Sequence, residues 1–562
     1  MGSSTSASAS GVTISAREKV ACKAGLVAVS SSRNRLDYHM NAKTKPRSPA
    51  LVKWSFLSRS SVNDLNYKST VCSGNCNHSP SSRLLKCLNG PLWSALEIGE
   101  GVNGEIVNWG PPGTVCTDSR KLNPGQWFFA IAGERFDGHD FINQALESKG
   151  CVGVVGNRAC ENWQRGFIRV HGDTSIALER LALYARNRYS GHVVGVTGSV
   201  GKTTTRTMIA LTLESLGLVY QTHGNENNQI GVALTLIGIP ASAKVSVLEL
   251  GMNKKGEILE LAQMSRPSVR VILNVGQSHM ENFESLEEVA RAKGELFVDA
   301  RPGDLCVLNA DDPLLVSIPV PPGVKKVLFG ERLGSDVRLV LAESINGGCA
   351  VRVVLKCVMF KFNQSVSFSD ELATEMVEFV IRSPGLHLAL NACAAAAVAV
   401  SLGIPLALAG NSLSRFEPVH MRSELETASN GIKIVNDVYN ANPQSMIAAI
   451  NLLKGIHCRG KRVAVLGDML ELGTIDAEAH KMVLKMCCDP SIGLIAVVGK
   501  RFHSAAEDLN LLGSSNLTCA VDSESMSLQI RERLSGHDVV LVKGSRAMQM
   551  EVVVGAIKEM SI

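Results

Sequence analysis

The chain has 562 residues, 45% of them hydrophobic, 19% charged and 5% aromatic, with 50 Gly. That length excludes a small stapled scaffold and fits about three or four domains, and scarce aromatics beside abundant Gly favour an α/β enzyme over a base-stacking RNA binder. The net charge of +5 is uneven: residues 1–90 hold 13 Lys and Arg against three acids, so the rest is mildly acidic and no nucleic-acid partner is expected.

Residues 1–90 also carry 19 Ser and no continuous apolar run of the kind a secretory signal needs. This is the composition of an organellar transit peptide. No Arg-rich amphipathic helix stands out, so a plastid is expected in preference to a mitochondrion. A merely disordered tail would share the composition. Cys72, Cys76 and His78 lack a second ligand pair, so no zinc site is expected there. The 15 Cys are scattered without regular spacing, which reads as reduced thiols.

From about residue 91, short β-branched runs alternate with helical patterns. Strands are predicted at His192–Val196, Val245–Leu250, Val269–Val275, Arg462–Leu466, Leu494–Val498 and Val539–Val542. Helical stretches between many of them imply parallel sheets with crossover helices. Three blocks follow, at about 91–190, 191–422 and 423–562. The apolar stretch 386–410 is mostly Ala and is broken at Gly403 and Pro405. It predicts a buried helix with close packing, and no transmembrane segment.

The chemistry starts at HVVGVTGSVGKTTT, His192 to Thr205. A hydrophobic strand feeds a Gly-rich turn, and the turn opens a helix predicted over Thr203–Leu216. Backbone N–H groups of such a turn surround phosphate oxygens, and the helix N-terminus adds favourable potential. Thr197, Gly198, Ser199, Gly201, Lys202, Thr203 and Thr204 are therefore nucleotide-binding candidates. Lys202 would reach the terminal phosphates and the Thr203 hydroxyl would ligate Mg²⁺. Val196 stands where the strict phosphate-loop pattern has its first Gly.

Two later strand ends supply further metal candidates. Glu249 closes a strand expected to be buried, where a lone carboxylate is costly. His279 follows the end of another. Taken singly, Glu249 also fits a lysine-paired carboxylate and His279 a hydrogen-bonded loop residue. Parallel strands bring their C-termini to one edge, so Thr203, Glu249 and His279 can converge there.

These motifs, in this order, resemble the Mur ligase family over nearly everything from residue 91 to the end. The first block has TDSRKLNPGQWFFAIAGERFDGHDFI. The second adds HGNENNQIGVALTL, LELGMNKKGEI and HMENFESLEEVARAKGELF to the phosphate loop. The third has NDVYNANPQSM, LGDMLELG and LVKGSRAMQME. The N-x-N-N-x-x-G, Y-N-A-N-P and K-G-S-R elements favour the branch that adds D-alanyl-D-alanine.

The resemblance implies a three-domain α/β architecture. An N-terminal UDP-sugar-binding domain would precede a central parallel-sheet ATPase domain, with a C-terminal Rossmann-like domain for nucleotide and incoming amine. It implies an ATP-dependent ligase joining D-Ala-D-Ala to a UDP-MurNAc-tripeptide through an acyl phosphate, with ATP as co-substrate and two Mg²⁺. Asp118, Ser119 and Arg120 match the uridine-diphosphate signature. Asn225, Asn227 and Asn228 match an asparagine turn beside substrate and phosphates. Lys293 matches a lysine carbamylated in the family, which would make it an oxygen ligand for Mg²⁺; spacing alone reads it as a surface lysine.

Arg422 matches an arginine near the nucleotide, although Met421 replaces the usual Gly before it. Asp437, Tyr439, Asn440 and Asn442 match the third-domain nucleotide motif, with Asn436 and Val438 as departures. Lys543, Ser545 and Arg546 match the motif facing the incoming peptide. Leu388 stands where the family usually has Asn, in a stretch expected to be structural. Lys202, Lys293, His279 and Arg422 are the catalytic candidates on this reading, and a monomer is expected. A sister ligase with another amino-acid substrate, or a non-enzymatic scaffold keeping the fold, are the alternatives.

Overall fold

Three sheets follow one another along the chain. The computed structural model describes residues 90–133, 135–159, 162–359 and 373–560. The leader and its Cys72, Cys76 and His78 lie outside the described residues.

The first sheet has five strands, ordered Glu105–Asn108, Gly166–Arg169, Gly153–Gly156, Gln126–Phe129 and Thr114–Cys116. All its pairings are parallel except the first. Helix Thr174–Arg188 packs against helix Gln229–Ile237 of the central domain. At its end Arg186 donates to the carbonyls of Ser265 (2.6 Å) and Arg266 (2.9 Å), a fixed joint between the two domains.

The central sheet has nine strands. Six run parallel, in the order Val219–Gln221, Val245–Glu249, His192–Thr197, Val269–Ile272, Leu305–Asn309 and Lys325–Gly330. Val337–Ile345 continues in parallel, and Ala350–Met359 and Ala373–Ile381 complete an antiparallel edge. The inner strands His192–Thr197, Val245–Glu249 and Val269–Ile272 are buried along nearly their whole length, as a sheet covered on both faces requires. His192–Thr197 lies between strands reached by crossovers in opposite directions, and such a switch point opens a crevice at the strand C-termini. Val269–Val275 was expected as one strand but leaves the ladder after Ile272, because Asn274 turns to the phosphate loop.

The stretch 386–410 forms two helices, His387–Ser401 and Leu406–Leu413, divided at Gly403 and Pro405. Ala392, Ala395, Ala396 and Ala399 are fully buried, and small side chains let the first helix lie close on the phosphate-loop helix. Among the described residues no helix is long and apolar enough to cross a membrane, and the ten described cysteines are all free.

The third sheet has six strands, ordered Glu424–Thr427, Lys433–Asp437, Val539–Lys543, Arg462–Gly467, Leu494–Val498 and Leu517–Ala520. Only the first runs antiparallel. The C-terminal edges of the second and third sheets both contribute walls to one cleft.

Candidate active site

The phosphate loop leaves its strand at Thr197 and enters helix Lys202–Leu213, which starts one residue before the predicted Thr203. Gly201 has φ 82°, and a Cβ there would sit 2.8 Å from Asn391 Oδ1. The turn therefore needs glycine for both conformation and space. Asn274 fastens the loop from the neighbouring strand end, accepting from Val200 N (2.9 Å) and donating to Val200 O (3.0 Å). Ser199 is committed in the same way, with Oγ donating to Gly276 O (3.1 Å) and accepting from Gly276 N (2.9 Å). Its hydroxyl thus shapes the loop. Lys202 Nζ donates to Gly198 O at 2.8 Å, inside the loop that would hold phosphates. Desolvation lowers its ammonium from the ordinary lysine range; Glu249 opposes this and Arg422 adds to it.

Glu249 is 1% exposed, at the end of its strand. Among the described residues no lysine pairs with it. Its Oε2 accepts from the Thr203 hydroxyl (2.8 Å) and its Oε1 from Asn227 Nδ2 (2.8 Å), while Arg206 stands 3.9 Å away. His279 lines the cleft, and its Nδ1 lies 2.7 Å from Glu471 Oε2 of the third domain. Burial lowers its pKa, favouring the neutral imidazole that a metal ligand must be.

Lys293, near the end of helix Leu286–Gly294, is 2% exposed rather than on the surface. Burial holds its pKa well below the ordinary lysine value, and the charge of Lys202 adds to the effect. No carboxylate pairs with it among the described residues. An uncharged amine is the form that takes up carbon dioxide, so this environment suits a carbamate. Thr203, Glu249 and a carbamylated Lys293 would offer oxygen ligands and His279 a neutral nitrogen, a mainly oxygen set that fits Mg²⁺. No cluster of three His, Cys, Asp or Glu side chains is preassembled among the described residues.

The cleft holds about 990 Å³. Its central-domain wall includes Lys202, Thr203, Thr204, Asn225, Asn227, Glu249 and His279; its third-domain wall includes Arg422, Asp437, Tyr439, Asn440 and Asn442. The Arg422 guanidinium lies 4.1 Å from the Tyr439 ring centroid, a flat cationic stack open to the cleft.

Other expected contacts are spent inside the protein. Asn228 Oδ1 accepts from Gly231 N (2.9 Å), capping helix Gln229–Ile237, and the residue is not on the cleft wall. Asn442 caps helix Pro443–Gly455. Asn440 Oδ1 accepts from Ala441 N (2.8 Å). Ser545 Oγ accepts from Leu470 N (2.9 Å). Arg546 pairs with Glu551 at 3.1 Å and lies outside the cleft lining. In the first domain Asp118 and Arg120 grip each other through two 2.9 Å bonds, and Lys149 donates to Ser119 O (2.8 Å). None of these three lines the cleft.

Two corrections follow. The stretch around Leu388 is not only structural: His387, Leu388, Leu390 and Asn391 all line the cleft, because the Ala-rich helix starts beside the phosphate loop. Lys543 does not project freely toward a substrate. It is 2% exposed, pairs with Asp437 Oδ2 (2.7 Å) and donates to Asn440 O (2.7 Å), shaping the cleft wall. Lys543→Met should therefore lower third-domain stability by about 1–3 kcal/mol, since it leaves the half-buried Asp437 carboxylate with the Ser423 N–H but without its cation. Denaturant unfolding tests this; an unchanged midpoint would mean the pair carries no such weight. Sequence reasoning also passed over Asn274 and Glu471. Asn274 had a usable signal, a polar side chain just past a buried strand. Glu471 stood inside the LGDMLELG motif, but nothing there named its partner, which lies 192 positions away (471 − 279).

A phosphate loop at a parallel-sheet switch point, facing an Arg–Tyr stack on a second sheet, defines a nucleotide-binding α/β enzyme that works between domains. Three family descriptions match successive parts of the chain: "Mur ligase family, catalytic domain" over residues 113–182, "Mur ligase middle domain" over 196–399, and "Mur ligase, glutamate ligase domain" over 421–546. The UDP-N-acetylmuramoyl-tripeptide–D-alanyl-D-alanine ligase of Bacillus subtilis is 34% identical over 468 residues, covering 81% of this chain and 96% of that protein. The chain belongs to the Mur ligase family.

Solved structures agree. A crystal structure of MurF from Acinetobacter baumannii superposes with a TM-score of 0.72 at 28% identity, covering 84% of this chain and all of that one (100%). MurF from Thermotoga maritima in complex with ADP gives 0.65 at 27%, covering 80% and 97%.

Proposed function

We propose that this protein is the ATP-dependent ligase that joins D-alanyl-D-alanine to a UDP-N-acetylmuramoyl-tripeptide, forming a C–N bond in peptidoglycan precursor synthesis. The observation that carries this reading is the shared cleft, where Lys202, Thr203 and Glu249 face Arg422 and Tyr439 of the third domain.

A carboxylate is a poor electrophile. Its oxygen attacks the γ-phosphorus of ATP, giving an acyl phosphate and ADP. The amine of the dipeptide then attacks the acyl carbon, and phosphate leaves. Lys202 and the backbone N–H groups of the loop neutralise phosphate charge as the phosphoryl group moves. Arg422 and Tyr439 hold the nucleotide from the opposite wall. Alignment of carboxylate, phosphate and amine supplies up to ~7–11 kcal/mol of the barrier. Seating the third domain on the cleft keeps water from the acyl phosphate. Thr203, Glu249, His279 and carbamylated Lys293 are the residues that would hold two Mg²⁺. Bound there, the ions would supply positive charge against the phosphates.

The test is phosphate release by the purified protein with ATP, Mg²⁺ and both substrates, together and singly. Release only with both supports the ligase. No release with both, but release with another amino acid, supports a sister ligase, and no release with any supports a scaffold.

We propose further that residues 1–90 direct import into a plastid, on the strength of their basic, Ser-rich, acid-poor composition. A fluorescent protein fused behind these residues should accumulate in plastids. A diffuse cytosolic signal would defeat the proposal, and a mitochondrial signal would change the organelle.

A further inference from the structure

His279 and Glu471 meet across the domain boundary. His279 follows strand Val269–Ile272 of the central sheet, and Glu471 follows strand Arg462–Gly467 of the third. Their side chains approach to 2.7 Å, Nδ1 to Oε2. Both backbones are left-handed, φ 55° and 63°, which non-glycine residues rarely adopt. Two residues on, Gly473 has φ 57°, and a Cβ there would come within 2.9 Å of Glu281 Cα. The loop after Glu471 therefore lies directly on the turn Met280–Asn282 that follows His279.

An ion pair with a half-exposed carboxylate adds little stability. What this pair does add is direction. With Nδ1 engaged by Glu471, Nε2 is the ring nitrogen left for the cleft that His279 lines. Outer partners of this kind fix the tautomer and ring orientation of a ligating histidine.

We infer that Glu471 is a positioning residue of the ligase: the third domain supplies the acceptor that orients His279, so the metal-binding edge of the central domain is complete only when that domain is seated. This rests on the ligase reading and on His279 as a ligand. It makes domain closure and assembly of the metal edge one event, and an open enzyme would be poorly set to activate the carboxylate before the amine-binding domain arrives.

The experiment uses the full protein with a non-hydrolysable ATP analogue and follows Mn²⁺ binding by electron paramagnetic resonance, beside steady-state turnover. Glu471→Ala should weaken Mn²⁺ binding about tenfold or more and lower kcat by a similar factor, leaving the KM for ATP near its wild-type value. Glu471→Gln still offers an oxygen to Nδ1–H and should recover most of both. Thermal unfolding of both variants should match the wild type. Wild-type Mn²⁺ affinity in Glu471→Ala overturns the inference, whatever happens to turnover, because a plain latch between domains would leave the ligand's orientation intact. Equal loss in Glu471→Gln and Glu471→Ala overturns it as well, marking an effect of charge alone. A wild-type protein that binds Mn²⁺ but forms no peptide bond counts against the ligase reading, while the Mn²⁺ comparison still decides the role of Glu471.

Discussion

A Lys202→Ala protein is expected to fold normally and to lose about 10²–10³-fold in ligation rate. The lysine sits at the first position of helix Lys202–Leu213, and its ammonium rests on the Gly198 carbonyl at 2.8 Å. That bond closes the loop locally but spans no domain and fills no core. Alanine is a strong helix former, so the helix should persist. The Asn274 and Ser199 bonds that fasten the loop do not involve the lysine. What is lost is the one positively charged side chain of the loop 197–204, where the γ-phosphoryl group would carry its greatest negative charge in transfer. Phosphate release measures the first effect, and circular dichroism with thermal unfolding measures the second. Near-normal turnover in a folded Lys202→Ala protein would remove the phosphate-loop assignment and the mechanism with it.

How far the sequence could be read depended on the range of the interactions. The phosphate loop was legible because strand, Gly turn and helix are contiguous, and the helix boundary moved by a single residue. Glu249 was legible as a buried carboxylate at a strand end. Its meeting with Thr203 was expected from the shared strand edge, but the bond from Asn227 was not, since residue type alone does not say which nearby polar group turns inward. The antiparallel edge Val337–Ile345, Ala350–Met359 and Ala373–Ile381 carried no motif and went unread. Third-domain residues were legible as a motif but not as roles. Lys543 looked like a free substrate contact, but two of its three donors are taken by Asp437 and the Asn440 carbonyl, and it meets the cleft only as part of its wall. Asn228 looked like a ligand contact but caps a helix away from the cleft wall, and Asn442 caps a helix with its Oδ1 while lining the cleft. Capping could have been anticipated for Asn442, which precedes Pro443, because Asn before an N1 proline is a helix-start pattern. Inter-domain pairs such as His279 with Glu471 leave no local trace, so only the folded chain reveals them.

Lys293 makes the sharpest forecast. Its side chain is buried, with no carboxylate partner among the described residues and near the cationic Lys202, an environment hostile to an ammonium. An ammonium there would also repel a metal ion held by Glu249 and Thr203. A carbamate reverses both problems: it carries negative charge and presents oxygen. Lys293→Ala should therefore fold and fall by about 10²–10³-fold in turnover, in the range seen when a transition-state stabiliser is removed. Added formate or acetate should restore part of the rate by entering the space the side chain leaves and supplying the missing oxygen. Lys293→Arg should be as poor as Lys293→Ala, because a guanidinium keeps its charge and has no acceptor. A charge-pairing or purely structural lysine makes the opposite forecast, with Arg largely substituting and carboxylates doing nothing. Mass spectrometry of the native protein offers a second readout, an added carbon dioxide on wild type that Lys293→Ala lacks. Retention of most of the wild-type rate in Lys293→Arg would show that the carbamate reading is wrong and that any second metal is held by other groups.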